Sequence, residues 1–293
     1  MYQGSYVAIV TPFTAKDEVD YARLEALIEM HITSGTAGIV PCGTTGEACT
    51  LSVSEHKAVI KFAVKRARGR VPVIAGTGAN CTKEAIELTV AAAKAGADAT
   101  LQVSPYYNKP EPEGMFRHFK AIAEAARIPM ILYSVPSRTA REIAVETVAR
   151  LAGEVKEVAA IKEAGGSLDR ASELVQKCPS IAVLSGDDSL TLPMMSVGAK
   201  GVISVVANFI PKDVADMTAA ALAGDYARAR AMHLRMFPVV KACFIETNPI
   251  PCKTAMEMMG LCRGDLRLPL SAMSAGNRER LRKALAEYGL LKR

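Results

Sequence analysis

Val158-Ala159-Ala160-Ile161-Lys162-Glu163-Ala164-Gly165-Gly166 decides how this chain folds and where its chemistry lies. Its apolar residues do not alternate with polar ones. A strand of that kind is buried on both faces, as in a parallel sheet covered by helices. The run ends in a lysine where the strand gives way to a glycine-marked loop. In water a lysine amine has a pKa near ~10.4, so about one in a thousand is neutral at pH 7.4. Burial depresses that value, and a neutral amine is the nucleophile that Schiff-base chemistry requires. A lone lysine at a strand end more often snorkels to solvent or pairs with a carboxylate. The case for catalysis must come from its surroundings.

Similar runs recur along the chain. They are Val7-Ala8-Ile9-Val10, Gly38-Ile39-Val40, Val71-Pro72-Val73-Ile74-Ala75 and Ala99-Thr100-Leu101-Gln102-Val103, then Met130-Ile131-Leu132-Tyr133, Ile181-Ala182-Val183-Leu184-Ser185 and Gly201-Val202-Ile203-Ser204-Val205. Helical stretches lie between them. Ser52-Val53-Ser54-Glu55 is a capping box. Thr82 is expected to cap the third helix and Ser167 the sixth, and Pro112 and Pro211 suit first-turn positions. Eight β-then-α units predict an α/β fold, a closed (β/α)8 TIM barrel rather than an open doubly wound sheet. The strand pattern stops near Gly224, and 225–245, 251–259 and 277–290 read as three helices. The expected organisation is a barrel domain, 1–224, with a C-terminal helical appendage, 225–293.

Composition excludes several classes. The 293 residues carry a formal charge of +6, and half are hydrophobic. The basic stretches 65–70 and 278–283 lack interleaved aromatics and read as solvated helix faces, not nucleic-acid contacts. Seven cysteines, an odd number without C-x-x-C spacing, and four scattered histidines form no metal or disulfide pattern. No signal-peptide pattern opens the chain, and no apolar run approaches ~18 residues. A cytoplasmic protein without membrane contact is expected. Gly76-Thr77-Gly78-Ala79-Asn80-Cys81 lacks the last glycine of a dinucleotide fingerprint. No cofactor is expected.

In a barrel the active site lies at the C-terminal strand ends. Gly43-Thr44-Thr45-Gly46-Glu47 follows the second strand, and Ser104-Pro105-Tyr106-Tyr107-Asn108 the fourth. The fifth ends in Tyr133, before Ser134-Val135-Pro136-Ser137-Arg138, and the sixth in Lys162. A glycine-flanked Thr-Thr turn suits a carboxylate, or is an ordinary polar turn. Tyrosine hydroxyls pass protons when hydrogen-bonded in a chain; alone, Tyr133 would read as core packing, and Tyr106 and Tyr107 as a subunit contact. Arg138 offers a planar fork for a second carboxylate, or a surface salt bridge. Together the set suits addition of a 2-oxo acid to an aldehyde through a lysine imine. A phosphate-binding barrel is disfavoured, because Gly186-Asp187-Asp188 places two negative charges after the seventh strand.

On these residues, with Pro105-Tyr106-Tyr107-Asn108-Lys109-Pro110, Tyr133-Ser134-Val135-Pro136-Ser137-Arg138-Thr139 and Leu184-Ser185-Gly186-Asp187-Asp188, the chain resembles the pyruvate-dependent Schiff-base aldolase family nearly end to end. Ser134 stands where asparagine is usual. The resemblance implies condensation of pyruvate with L-aspartate-4-semialdehyde, the committing step towards diaminopimelate and lysine. Lys162 would form the imine, with Tyr133, Thr44 and Tyr107 as the proton relay and Tyr107 reaching into a neighbouring subunit. Thr45 would hold the pyruvate carboxylate, Arg138 that of the semialdehyde, and Ile203 would line the pocket through its backbone. Thr44 and Arg138 favour this activity over that of sugar-acid aldolases. A homotetramer, built as a dimer of dimers, is implied. Some members are inhibited by lysine at the dimer interface, and the matching positions here are Ala48, Leu51, His56, Asn80, Glu84 and Tyr106.

Overall fold

Eight parallel strands form at the unbroken apolar runs, and a computed structural model describes residues 2–291. They are β1 (Gly4–Ala8), β2 (Gly38–Val40), β3 (Ile74–Gly76), β4 (Ala99–Val103), β5 (Met130–Ser134), β6 (Val158–Glu163), β7 (Ala182–Ser185) and β8 (Gly201–Ser204). Their order around the sheet is β2-β1-β8-β7-β6-β5-β4-β3. The ring closes between β2 and β3 by a parallel bridge of Ile39 with Val73. There the Ile39 amide donates to the Pro72 carbonyl at 2.9 Å, and the Gly76 amide to that of Pro41 at 2.9 Å. This is the expected TIM barrel.

The helices are α1 (Tyr21–Thr33), α2 (Val53–Ala67), α3 (Thr82–Ala95), α4 (Pro112–Ala126), α5 (Pro136–Thr139), α6 (Val145–Glu154), α7 (Leu168–Lys177), α8 (Thr191–Ser196), α9 (Pro211–Leu222), α10 (Tyr226–Ala242), α11 (Ile250–Met258) and α12 (Ala275–Tyr288). The Ser52–Glu55 capping box forms at α2, and Ser167 caps α7 through the Arg170 amide. Pro112 and Pro211 open α4 and α9. Thr82 does not cap α3. Cys81 occupies that place without a side-chain bond, because the Thr82 hydroxyl is engaged with His118 Nδ1 at 2.9 Å. The first strand lies earlier than its apolar run suggests, because Gly4 pairs with Gly201 on β8 and its amide donates to the Lys200 carbonyl at 2.8 Å. The third starts later, since Pro72 has no amide to give. Arg138 lies on the one-turn helix α5.

Alternation along each strand sorts side chains between two layers. Tyr6, Val40, Ile74, Ile131, Tyr133 and Ile203 fill the barrel interior. Residues such as Leu132, Ile161 and Val183 face outward onto the helices. The outer core runs on without a break into the C-terminal helices. Val214 and Met217 of α9 belong to the same apolar cluster as Val239 and Val240 of α10 and Ala255 and Met256 of α11. Among the described residues no helix is long and apolar enough to cross a membrane.

Candidate active site

Lys162 is the fifth residue of β6 and points inward, since Ala160 also faces the interior and Ile161 faces out. It is 5% exposed. Its register partner on β5 is Tyr133, and the Lys162 nitrogen lies 4.2 Å from the centroid of that ring. Gly186, after β7, packs against the lysine stem. A β-carbon there would stand 3.0 Å from Lys162 Cε and 2.6 Å from the Ala164 methyl.

Two carboxyls follow β7, Asp187 half-buried and Asp188 buried. Burial pushes the Asp187 carboxyl above its ordinary value, against the opposing charge of Lys162. Burial raises that of Asp188 too, opposed by its hydrogen bonds and by Lys162. Asp188 accepts from the Ser204 hydroxyl at 2.5 Å and the Val205 amide at 2.9 Å. Asn208 accepts from the Val10 amide at 3.0 Å and donates to the Ala8 carbonyl at 2.8 Å. These bonds tie together the loops after β7, β8 and β1.

The Thr44–Thr45 turn follows β2. It closes with the Glu47 amide on the Thr44 carbonyl at 3.1 Å and the Ala48 amide on the Gly43 carbonyl at 3.3 Å. No hydrogen bond among the described residues uses the Thr44 or Thr45 amides. The turn sits close against β3, and only glycine fits below it, because a β-carbon on Gly76 would stand 2.2 Å from the Cys42 carbonyl oxygen. That contact explains one of the glycines that loosely resembled a dinucleotide loop.

Asn248, which sequence reasoning missed, joins two predicted residues. Its side-chain Nδ2 donates to Thr45 Oγ1 at 2.9 Å, and its backbone carbonyl accepts from an Arg138 guanidinium nitrogen at 3.0 Å. Thr45 is buried, whereas Arg138 is exposed at the rim. Ile203 lies in the barrel interior, in the same apolar cluster as Tyr133.

Tyr107 is not brought together with the others. It is 91% exposed and holds φ at 70°, a left-handed conformation that carries its ring outward. A cavity of about 410 Å³ runs beside the turn. Thr44 and Tyr133 line it together with Ala48, Leu51, His56, Glu84 and Tyr106. Asn80 stands next to it and donates to the Tyr106 carbonyl at 3.2 Å. His56 Nε2 lies 2.7 Å from the Gly76 carbonyl, and burial lowers the His56 pKa despite that bond and the charge of Glu84.

A buried amine beside a phenol, a turn with free amides and a rim guanidinium form one connected site. The chain matches the dihydrodipicolinate synthetase family over residues 1–288. It is 53% identical over 291 residues to the 4-hydroxy-tetrahydrodipicolinate synthase of Aquifex aeolicus, covering 99% of each chain. The crystal structure of the A. aeolicus dihydrodipicolinate synthase superposes with a TM-score of 0.97, at 53% identity and full coverage of both chains. The chloride-inhibited dihydrodipicolinate synthase of Acinetobacter baumannii, solved in complex with pyruvate, is 47% identical with a TM-score of 0.97, over 99% of this chain and 100% of that one. The enzyme of Cyanidioschyzon merolae, solved with lysine bound, is 40% identical with a TM-score of 0.96, over 99% of each chain. The chain belongs to the dihydrodipicolinate synthetase family and carries out its 4-hydroxy-tetrahydrodipicolinate synthase reaction.

Proposed function

We propose that Lys162 forms an imine with the keto carbon of pyruvate and that the derived enamine adds to L-aspartate-4-semialdehyde. Water leaves as the imine forms. A methyl proton then departs, and its electron pair becomes the enamine double bond. The enamine carbon bonds to the aldehyde carbon, whose oxygen takes a proton to become the 4-hydroxyl. The semialdehyde amine attacks the imine carbon, Lys162 leaves as the free amine, and the six-membered ring closes. The observation that carries this reading is the enclosure of Lys162 at the C-terminal end of β6 beside the Tyr133 ring. The pyruvate complex of the A. baumannii relative supports the donor substrate.

In this reading Thr45 and the free amides of its turn hold the pyruvate carboxylate, and Arg138 binds that of the semialdehyde. Ile203 lines the pocket through its backbone. Tyr133 and Thr44 pass the proton, and they share one cavity wall. Tyr107 completes the relay in a neighbouring copy, which accounts for a tyrosine turned out to solvent. The functional unit is then a homotetramer built as a dimer of dimers. The barrel, 1–224, carries the chemistry and 225–293 is its appendage. The protein works in the cytoplasm, a reducing setting that suits seven free cysteines.

Borohydride reduction in the presence of pyruvate, followed by mass spectrometry, tests the reading. A covalent adduct is expected on Lys162 and none in Lys162→Ala. A tag on another side chain overturns it. Arg138→Ala keeps the adduct and raises the KM of the semialdehyde. Feedback control belongs to the same reading, with Ala48, Leu51, His56, Asn80, Glu84 and Tyr106 receiving lysine, as the lysine-bound relative suggests. Turnover unchanged by millimolar lysine removes that part.

A further inference from the structure

Glu47 and Lys253 form an ion pair beneath the Thr44–Thr45 turn that no step of the reaction uses. Glu47 ends the turn with φ 54° and ψ 38°, a left-handed conformation that a residue with a β-carbon keeps only when its surroundings hold it there. Its side chain turns inward and is buried. One carboxylate oxygen accepts from Lys253 Nζ at 2.5 Å, the other from the Arg267 amide at 3.2 Å. Lys253 is 0% exposed, on α11 among Ile250, Cys252, Ala255 and Met256. Its nitrogen also donates to the Asp265 carbonyl at 2.8 Å and lies 4.1 Å from the centroid of the Phe13 ring. The Arg267 guanidinium rests on the same ring at 4.4 Å and binds Glu55 at 2.7 Å and Asp17 at 2.9 Å. The loop after β1, the turn after β2 and the appendage therefore meet at one buried charge pair.

A buried ion pair adds little net stability over an apolar pair of similar volume, because desolvation offsets most of the attraction. What it adds is geometry, since each charge fixes the other's place. We propose that Glu47 and Lys253 are positioning residues that set the Thr44–Thr45 turn, so that the C-terminal appendage helps to build the pyruvate half of the active site. This rests on the proposed role of that turn in holding pyruvate. The semialdehyde half meets the same appendage at a different residue, Asn248, whose backbone carbonyl accepts from Arg138 while its side chain donates to Thr45.

The test compares Glu47→Gln, and the double variant Glu47→Gln/Lys253→Met, with the unaltered enzyme. The ratio of kcat/KM for pyruvate to kcat/KM for the semialdehyde is independent of how much protein is folded. A merely structural pair lowers both values together and leaves the ratio unchanged. A positioning pair shifts the ratio against pyruvate by about fivefold or more. An unchanged ratio in Glu47→Gln overturns the proposal. That variant keeps the size of the side chain but has one acceptor oxygen in place of two, so it loses the charge and the bond to either Lys253 or the Arg267 amide, and it decides the matter if the double variant does not fold. Borohydride trapping on the unaltered enzyme separates the two ideas. Absence of an adduct on Lys162 there defeats the functional reading, whereas an adduct with an unchanged ratio defeats only the positioning role.

Discussion

Arg170 holds the carboxylate of Glu163 at 2.9 Å on the outer face of the strand whose inner face presents Lys162. Both side chains are buried, and the guanidinium also donates to the Ile143 carbonyl at 2.5 Å. Burial pushes the Glu163 carboxyl above its ordinary value, and Arg170 opposes that shift. Arg170→Met leaves the carboxylate buried without its main partner and costs about 3–5 kcal/mol. In that variant the folded-state pKa lies further above the unfolded one. The folded form then binds more protons, and the stability lost relative to the unaltered protein is recovered as pH falls from neutral towards the carboxyl range. Urea titrations at pH 7 and pH 5 check this, and a loss under about 1 kcal/mol at pH 7 contradicts the pairing.

Gly186→Ala tests how closely the lysine is packed. The new methyl would stand 2.6 Å from the Ala164 methyl, which must shift, and 3.0 Å from Lys162 Cε, which must give by a few tenths of an ångström. A displacement of about 1 Å at a reacting group costs roughly a hundredfold in rate. The smaller shift here should lower kcat by up to about tenfold, with slower trapping of the pyruvate adduct, and the crowding at Ala164 should cost about 1–3 kcal/mol of stability. Unaltered trapping kinetics would show that the stem is not confined.

Tyr107 faces outward and Thr44 lines the cavity, so the proposed relay divides between two copies. Tyr107→Phe and Thr44→Val should each be nearly inactive alone. Unfolded and refolded together, they should regain activity, because a mixed pair holds one site with both native residues. Random pairing restores roughly a quarter of the native sites. No recovery in the refolded mixture, with mixed oligomers present, places the Tyr107 hydroxyl within its own chain.

Acid should destabilise the fold through His31 and His118. Burial holds their pKa values at about 3 and about 4. His31 Nδ1 lies 3.3 Å from the Thr36 hydroxyl, and neither ring's Nε2 has a partner among the described residues. Both folded-state values lie below the unfolded value of about 6.5. As pH drops below that value the unfolded chain takes up protons that the folded one refuses. Stability then falls by about 1.4 kcal/mol per pH unit for each histidine. Urea midpoints between pH 7 and pH 5 should show the decline, and His118→Gln should make it shallower. An equal slope in that variant excludes His118 as a source.

The legible part of this protein was local. Eight apolar runs announce eight strands, and Lys162, Tyr133 and the Thr-Thr turn can be placed because each lies at a strand end. Asn248 and Lys253 could not be placed that way. Their partners Thr45 and Glu47 lie about two hundred positions away, and the contact arises only when the appendage packs over the rim. One signal was available for Lys253, a lone charge within Ile250-Pro251-Cys252-Lys253-Thr254-Ala255-Met256 on a helix otherwise apolar at that point. The misassigned cap at Thr82 has a similar origin, since its hydroxyl is claimed by His118 of α4.

The barrel is not equally strong around its circumference. Every other neighbouring pair of strands is joined by at least two register pairs, whereas β2 meets β3 at a single bridge. That thin seam runs directly below the Thr44–Thr45 turn and beside the cavity that holds His56 and Tyr106. The hydroxyls proposed to hold substrate therefore stand over the stretch of wall with the fewest strand pairs. On the proposed reading, a small molecule wedged into that crevice would need no distant relay to slow the enzyme, for it would press on the most sparsely joined stave of the cask.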